Sequence, residues 1–286
     1  MSLSDAARLV TDNASTAQCV LFIAIFATSW LVEKFVLAQP AAQKLRHTGF
    51  NLAFLAIVTP VQLVAIALCV AVANWNTDNH WGLVYLLPHA ESGWIKFGLM
   101  FLALDFLDYV YHRMAHRLAP LWRLHLVHHS DRSVDVSTTF REHPAETLVR
   151  VAFLTLFVFV CGASLPVLIL RQTFETFANV SQHTSFRLPP RAARVLGWVF
   201  VTPNLHHTHH HFELPGTNCN YGDVFSIWDR IFGTYVHIPT SDIVFGIDTH
   251  MEPGASSSFA GLLGLGRFAR RSRGHEQFSE AAAAEA

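Results

Sequence analysis

Charge is what this sequence has least of. Asp, Glu, Lys and Arg make up 14% of its 286 residues, against about 25% in an ordinary soluble domain. That is too little to coat a water-facing surface of this size. Neither sign is in excess: 20 basic and 21 acidic residues leave a net charge of −1, which excludes a strongly basic nucleic-acid binder. With 51% hydrophobic residues, a disordered chain is excluded as well. Cysteine is scarce too. Cys19, Cys69, Cys161 and Cys219 form no CxxC pair, and three of them lie in apolar runs. They read as small buried hydrophobes, not as a disulfide framework. What the chain does have is apolar length, with a mean hydropathy of +0.31, and histidine, 18 in all.

A membrane span needs about 20 mostly apolar residues. Residues 17–32 are uncharged, and the run continues past Glu33 and Lys34 to Leu37. Residues 50–74 carry no charge, and Pro60 predicts a kink there. Residues 94–111 predict a weaker span holding Lys96, Asp105 and Asp108, acids expected to face protein. Residues 151–170 are again uncharged, and Gly162 to Pro166 predict a hairpin whose second arm runs to about Asn179. The first run is too long, and lacks the basic flank, for a secretory signal. Lys44 and Arg46 follow the first run, 75–93 holds no Lys or Arg, and 112–150 holds six arginines. By the positive-inside rule this predicts an N-terminus outside and the histidine-rich part in the cytoplasm, with Arg187, Arg191 and Arg194 on the same side. A bacterial inner membrane fits better than an endoplasmic reticulum. Residues 195–202 are apolar but too short to cross, so they belong in the interface or the core. The expected fold is an all-α integral membrane protein. It has about four transmembrane or hairpin regions and a cytoplasmic helical cap, formed as one domain over 1–251 with a motif core at 105–235. The Gly-, Ser- and Ala-rich stretch 252–286 is expected to be a flexible tail.

Most of the histidines lie between His112 and His211 in three motifs. His112 and His116 form HxxxH. His125, His128 and His129 form HxxHH. The run His206, His207, His209, His210, His211 contains HxxHH twice, as 206/209/210 and as 207/210/211. On a helix, residues three or four apart are about 5–6 Å apart at Cβ, so two such imidazoles can share an ion. The adjacent histidine of an HxxHH points roughly 100° away and can reach a second ion. One ion takes about four ligands, so eight or nine imidazoles imply two ions. Imidazole suits Zn, Cu, Fe or Ni and not Mg or Ca. Asp105 and Asp108 lie seven and four residues before His112 on one helical face. There they are candidates to accept a ligand histidine's second N–H. His183 is a candidate ninth ligand, and His143, followed by Pro144, a neighbour of the site. A histidine-rich metal carrier without redox chemistry is a reading of a different class. Clustering of the histidines at one end of the helices argues against it.

These residues resemble the fatty acid hydroxylase and sterol desaturase superfamily of membrane histidine-rich oxygenases. The resemblance rests on DxxDYxxHRxxH at 105–116, HxxHH at 125–129, RxHP at 141–144, QHTSFRLP at 182–189, PxxHxxHH at 203–210 and NYG…WDRxFGTY at 220–235. It implies metal ligation by His112, His116, His125, His128, His129, His183, His206, His209 and His210. Pro203 stands three residues before His206, as the family pattern asks, which leaves His207 and His211 as flanking residues. Asn220, Asp229 and their neighbours would support the site. The resemblance further implies two iron ions, although zinc can occupy such sites on isolation. It implies O2 as oxidant and a lipid substrate drawn from the bilayer: a fatty acyl chain, a sterol or a related lipid. The product would be a hydroxylated lipid, or alternatively a desaturated one or a cleaved ether lipid. The sequence holds no heme or flavin domain and no credible nucleotide fingerprint. Electrons are therefore expected from an external ferredoxin or cytochrome b5-type donor with its reductase.

Overall fold

Long apolar runs become long helices, because in a bilayer every backbone N–H and C=O must be satisfied within the segment. The computed structural model describes residues 14–35, 40–87, 93–251 and 258–265. Helix α1 is Ala14–Phe35. Helix α2 is Ala41–Asn79, 39 residues long, or about 58 Å at 1.5 Å per residue. Pro60 lies inside α2 without ending it. The expected span at 50–74 is therefore the middle of a longer helix, which exceeds the roughly 30 Å hydrocarbon core. Then come α3 (Gly93–Arg117), α4 (Ala119–His129), α5 (Pro144–Cys161) and α6 (Leu165–His183). Three short helices complete the set among the described residues: α7 (Pro190–Leu196), α8 (Pro203–His209) and α9 (Ile227–Ile231). No β-strand longer than an isolated bridge occurs among the described residues.

Three segments are long and apolar enough to cross: Gln18–Phe35, Ala41–Leu86 and Pro144–Cys161. Their outward side chains, such as Ile23, Leu63, Val64 and Leu68, are more than half exposed, as lipid-facing residues are. Cys19 is exposed and borders the cavity described below, against the expectation of burial. Cys69 and Cys219 are buried, and all four cysteines are free. The region 94–111 forms α3 but is not among the three. Its acids are turned into protein, because a carboxylate needs donors that lipid cannot supply. The break expected at Gly162–Pro166 is present, and it returns the chain through α6. That arm carries Arg171, Gln172 and Glu175 and is held against protein.

The turn depends on two glycines. Gly162 ends α5 at φ +77° and Gly82 sits at φ +109°. A Cβ on Gly162 would lie 2.3 Å from Trp81 O, and one on Gly82 would lie 2.3 Å from Gly162 Cα. Only glycine lets these two connections touch. Beside them, Ala65, Cys69 and Ala73 of α2 pack with Met100 and Leu104 of α3, Val151 and Val158 of α5 and Val167 of α6.

The near end of α2 is polar and buried. Lys44 Nζ lies 2.6 Å from Glu33 and 2.8 Å from Asp135, and His47 Nε2 lies 2.9 Å from Asp131. Arg141 donates to Val127 O, Ser130 Oγ and Asn51 Oδ1. These bonds tie the 130–141 connection, which follows the second histidine motif, to the membrane helices. Within the stretch expected to be a flexible tail, 258–265 instead packs on the protein. Phe259 lies 4.5 Å from the Phe54 ring, and Leu262 is buried beside Leu126. Apolar side chains there have a core to join; the rest of the expected tail lies outside the described residues. Val195, Trp198 and Phe200 are exposed while Val201 and Thr202 are buried, so the short apolar stretch 195–202 has both an outer and an inner part.

Candidate metal centre

Four helices end at the same place. His112 and His116 lie in the last turns of α3, His125, His128 and His129 in those of α4, and His183 is the final residue of α6. His206 and His209 close α8, and His210 follows it. A helix C-terminus carries partial negative charge, so this convergence favours cations. Pro120, Pro144, Pro166 and Pro203 each sit in the first turn of their helix, where a missing N–H costs nothing.

The nine histidines form two groups. His112, His116, His125, His129 and His209 bring one nitrogen each within 4.8 Å of one another, and so do His128, His183, His206 and His210. The split follows helix geometry. Residues four apart, 112/116, 125/129 and 206/210, stay in one group. The middle histidine of each HxxHH, His128 or His209, turns to the other.

Each ring's outer nitrogen shows which inner one is available. His183 Nδ1 faces Asn179 O at 2.7 Å, His128 Nδ1 faces Arg141 O at 3.3 Å, His112 Nδ1 faces Tyr221 O at 3.0 Å and His209 Nδ1 faces Cys219 O at 2.6 Å. A carbonyl only accepts, so Nδ1 carries the proton and Nε2 presents a lone pair. Yet Nε2 of His183 lies 3.0 Å from that of His128 and 2.9 Å from that of His206, and His112 Nε2 lies 3.2 Å from His125 Nε2. Lone pairs so placed repel unless a cation lies between them. Ligand bonds of about 2.0–2.1 Å give separations of about 3 Å. Both ring nitrogens of His129 and Nε2 of His209 are buried with no hydrogen-bond partner among the described residues, which a metal would satisfy. Protonation is not the remedy. Burial and neighbouring imidazoles hold His128, His129, His206 and His210 well below the usual histidine range, and burial holds His209 at about 3. Neutral imidazoles are the ligating form.

The carboxylate beside these ligands is one the helical-face reading missed. Glu146, in the first turn of α5, accepts from His125 Nδ1 at 2.5 Å. It is 4% exposed, and its other oxygen has no partner among the described residues. Asp105 and Asp108, expected in that role, do something else. Asp105 accepts from Val224 N at 3.1 Å and Trp228 Nε1 at 2.7 Å. Asp108 pairs with Arg171. His143 is a cap: its Nδ1 accepts from Ala145 N at 3.0 Å and starts the helix that carries Glu146. His207 and His211 belong to neither group. His207 Nε2 donates to Thr184 O at 2.9 Å while its Nδ1 accepts from Arg187, and His211 Nδ1 accepts from Val244 N at 3.0 Å. Asp229 takes the N–H groups of Tyr221 and Gly222 and the hydroxyl of Thr234, at 2.7–2.9 Å. Asn220, at φ +51°, clasps Leu205 and Val236. Together they fix the loop whose carbonyls at Cys219 and Tyr221 orient His209 and His112.

Both groups open on one cavity of about 470 Å³, lined by His112, His125, His128, His183 and His206. Phe22 of α1, Leu55 and Val58 of α2 and Val180 of α6 line it with apolar surface. Asp108, Glu142, Glu175 and Asp223 line it with carboxylates.

The family described as fatty acid hydroxylase matches residues 97–234. The chain is 35% identical over 133 residues to the ornithine lipid hydroxylase OlsE of Rhizobium tropici, covering 46% of this chain and 39% of that one. It is 31% identical over 175 residues to the alkylglycerol monooxygenase of Caenorhabditis elegans, covering 60% and 32%. To the methylsterol monooxygenase 1 of Rattus norvegicus it is 29% identical over 133 residues, covering 46% and 43%. The chain thus spans less than half the length of the curated relatives it matches. No solved structure matches.

Proposed function

We propose, for a chain that belongs to the fatty acid hydroxylase family through residues 97–234, that it is a membrane di-metal oxygenase placing a hydroxyl on an unactivated C–H bond of a lipid. One observation carries this reading: two all-histidine groups, without a carboxylate ligand, share a cavity whose other wall comes from membrane-spanning helices. The nine histidines would hold two ions, iron by ligand type and by family, and these supply reduction of O2 and oxidation of the C–H bond when bound. The net change adds one oxygen atom to the lipid. The other becomes water, with two electrons and two protons supplied from outside.

The chain's own residues do the rest. Glu146 and the carbonyls of Cys219, Tyr221, Asn179 and Arg141 hold the rings with Nε2 inward. Phe22, Leu55 and Val58 exclude water and admit a hydrocarbon chain sideways from the bilayer. A C–H bond offers no acid–base handle, so the shape of the cavity decides which carbon meets the ions. The arginine-rich side of the chain faces the cytoplasm by its charge. There it receives an acidic ferredoxin or cytochrome b5-type donor. Residues 1–251 act as one membrane-embedded domain.

The test is a lipid mass profile of membranes expressing the native chain or His128→Ala, with a donor system present. A lipid gaining one oxygen only with the native chain is expected. Loss of two hydrogens makes the chain a desaturase, and loss of an alkyl chain an ether-lipid monooxygenase like one set of relatives. Identical profiles, with both ions bound and the donor active, sink the oxygenase reading in favour of metal handling.

A further inference from the structure

Helix α3 has two faces that border a cavity. Asp108, Tyr111 and His112 line the cavity of the metal centre. On the opposite side of the helix, Phe106, Tyr109, Val110, Arg113, Met114 and Arg117 recur every three or four residues, the spacing of one helical stripe. They line a second cavity of about 230 Å³, whose rim is completed by the exposed Leu118 and Phe232. Neither a ligand histidine nor a carboxylate lines it. Apart from the two arginines, every lining side chain is apolar or aromatic.

The arginines keep their charge for something outside the protein. Neither forms an ion pair among the described residues, and the groups their charges reach are the hydroxyls of Tyr109 and Tyr221. The buried acid behind Tyr109 is Asp229, already taken up by Tyr221 N, Gly222 N and Thr234 Oγ1. Arg113 and Arg117 directly follow His112 and His116, at the end of α3 that the positive-inside rule assigns to the cytoplasm. Cytoplasmic leaflets carry anionic head groups. From Arg117 to Phe106 the stripe runs eleven residues, about 16 Å at 1.5 Å per residue. One leaflet's hydrocarbon is about 15 Å deep. A docked protein meets a polar rim all round an apolar centre. This groove is charged at one end and apolar along the rest, as a lipid is.

We propose that this groove holds one anionic phospholipid, with its phosphate on Arg113 and Arg117 and an acyl chain along Phe106, Val110 and Met114. Arginine suits the role because its planar fork takes two phosphate oxygens at once. The lipid is a bound companion and not a substrate: α3 separates it from the metal centre, and the groove opens on none of the ligand histidines. Because Arg113 and Arg117 alternate with His112 and His116, the same two turns carry a lipid on one face and ligands of the five-histidine group on the other. The head group braces those turns. This binding does not depend on the chemistry that the metal centre performs.

The probes are dioleoylphosphatidylglycerol and dioleoylphosphatidylcholine, offered together in equal amounts to the full chain in detergent micelles, with retained lipid identified by native mass spectrometry. One phosphatidylglycerol per chain is expected, preferred about tenfold over phosphatidylcholine, the order that two guanidiniums give at a net negative head group. The preference disappears in Arg113→Gln/Arg117→Gln and is untouched in Arg191→Gln/Arg194→Gln on α7. Val110→Trp keeps both charges but fills the groove, so the retained lipid is lost there too. Equal retention of the two lipids by the native chain overturns the proposal and needs no variant. So does a preference that survives the Arg113/Arg117 pair or Val110→Trp, or that vanishes in the α7 pair, since charge elsewhere would then hold the lipid. If the native chain shows no lipid preference but binds a plant-type ferredoxin that Arg113→Gln/Arg117→Gln releases, the face belongs to an electron carrier and the proposal falls. Circular dichroism of each variant separates loss of the site from loss of the fold. Binding is read without turnover, so this outcome is separate from that of the lipid mass profile.

Discussion

Replacing Glu146 with Gln should weaken one ion and leave the other alone. Its carboxylate is the acceptor for His125 Nδ1, at 2.5 Å and 4% exposure. His125 belongs to the five-histidine group, and the four-histidine group shares no hydrogen-bond acceptor with it. Gln keeps the shape and an acceptor oxygen but removes the charge. A hydrogen bond to a charged group contributes about 1.5–3 kcal/mol and a neutral one about 0.5–1.5. The change therefore costs about 1–2 kcal/mol, which at about 1.4 kcal/mol per decade is roughly 5- to 30-fold in affinity for one ion. That agrees with the 10- to 100-fold typical of residues behind a metal ligand, an order-of-magnitude figure. Chelator competition, followed by metal content per chain, should show one ion released about a decade earlier than in the native protein and the second unchanged. Asp108→Asn is the control: its partner is Arg171, so it should hold both ions as the native chain does. Parallel loss of both ions in Glu146→Gln, or no change in either, would refute the assignment of Glu146 to one group through His125.

The two overlapping HxxHH registers separate by the same measurement: His206→Ala and His210→Ala should each lose the ion of the four-histidine group, while His207→Ala and His211→Ala keep two ions. Asp229→Asn should lower stability by about 1–3 kcal/mol, the cost of an impaired buried acceptor, and should free the five-histidine ion first, because its loop orients His112 and His209. Thermal unfolding in detergent, read with metal content, checks both effects. Gly162→Ala should cost more than about 1 kcal/mol, from the left-handed conformation alone, with contact to Trp81 O at 2.3 Å adding to it. Its thermal midpoint should fall while metal stoichiometry, measured on the folded protein, stays the same.

The histidines were legible in the sequence because their geometry is local. HxxxH and HxxHH report a helical face whatever the rest of the chain does, and the all-α membrane architecture followed from uncharged runs of span length. His143 was legible only as a neighbour: a histidine before proline marks a helix start, and capping is what it does. Glu146 was not legible. It precedes the run 151–170 that was expected to span, and its pairing with His125 depends on how α5 packs against α4. No periodicity records that. The carboxylates of the cavity were hidden for the same reason, since Asp108, Glu142, Glu175 and Asp223 come from four places in the chain.

Asp105 and Asp108 show where helical-face reasoning stops. Both do share a face with His112, and both are turned toward protein, as acids in an apolar helix must be. But a helix face meets several neighbours along its length. One turn before His112 the neighbour is α6, and Arg171 takes Asp108. Two turns before, it is Val224 and, at the start of α9, Trp228, which take Asp105. A buried carboxylate goes to the strongest donor within reach, and a guanidinium outbids a neutral imidazole. His112, His128, His183 and His209 rely instead on backbone carbonyls, which no side-chain competitor can claim once the backbone is fixed. That makes Asp229 and Asn220, which touch no ligand, as necessary to the geometry of His112 and His209 as the spacing of the histidines themselves.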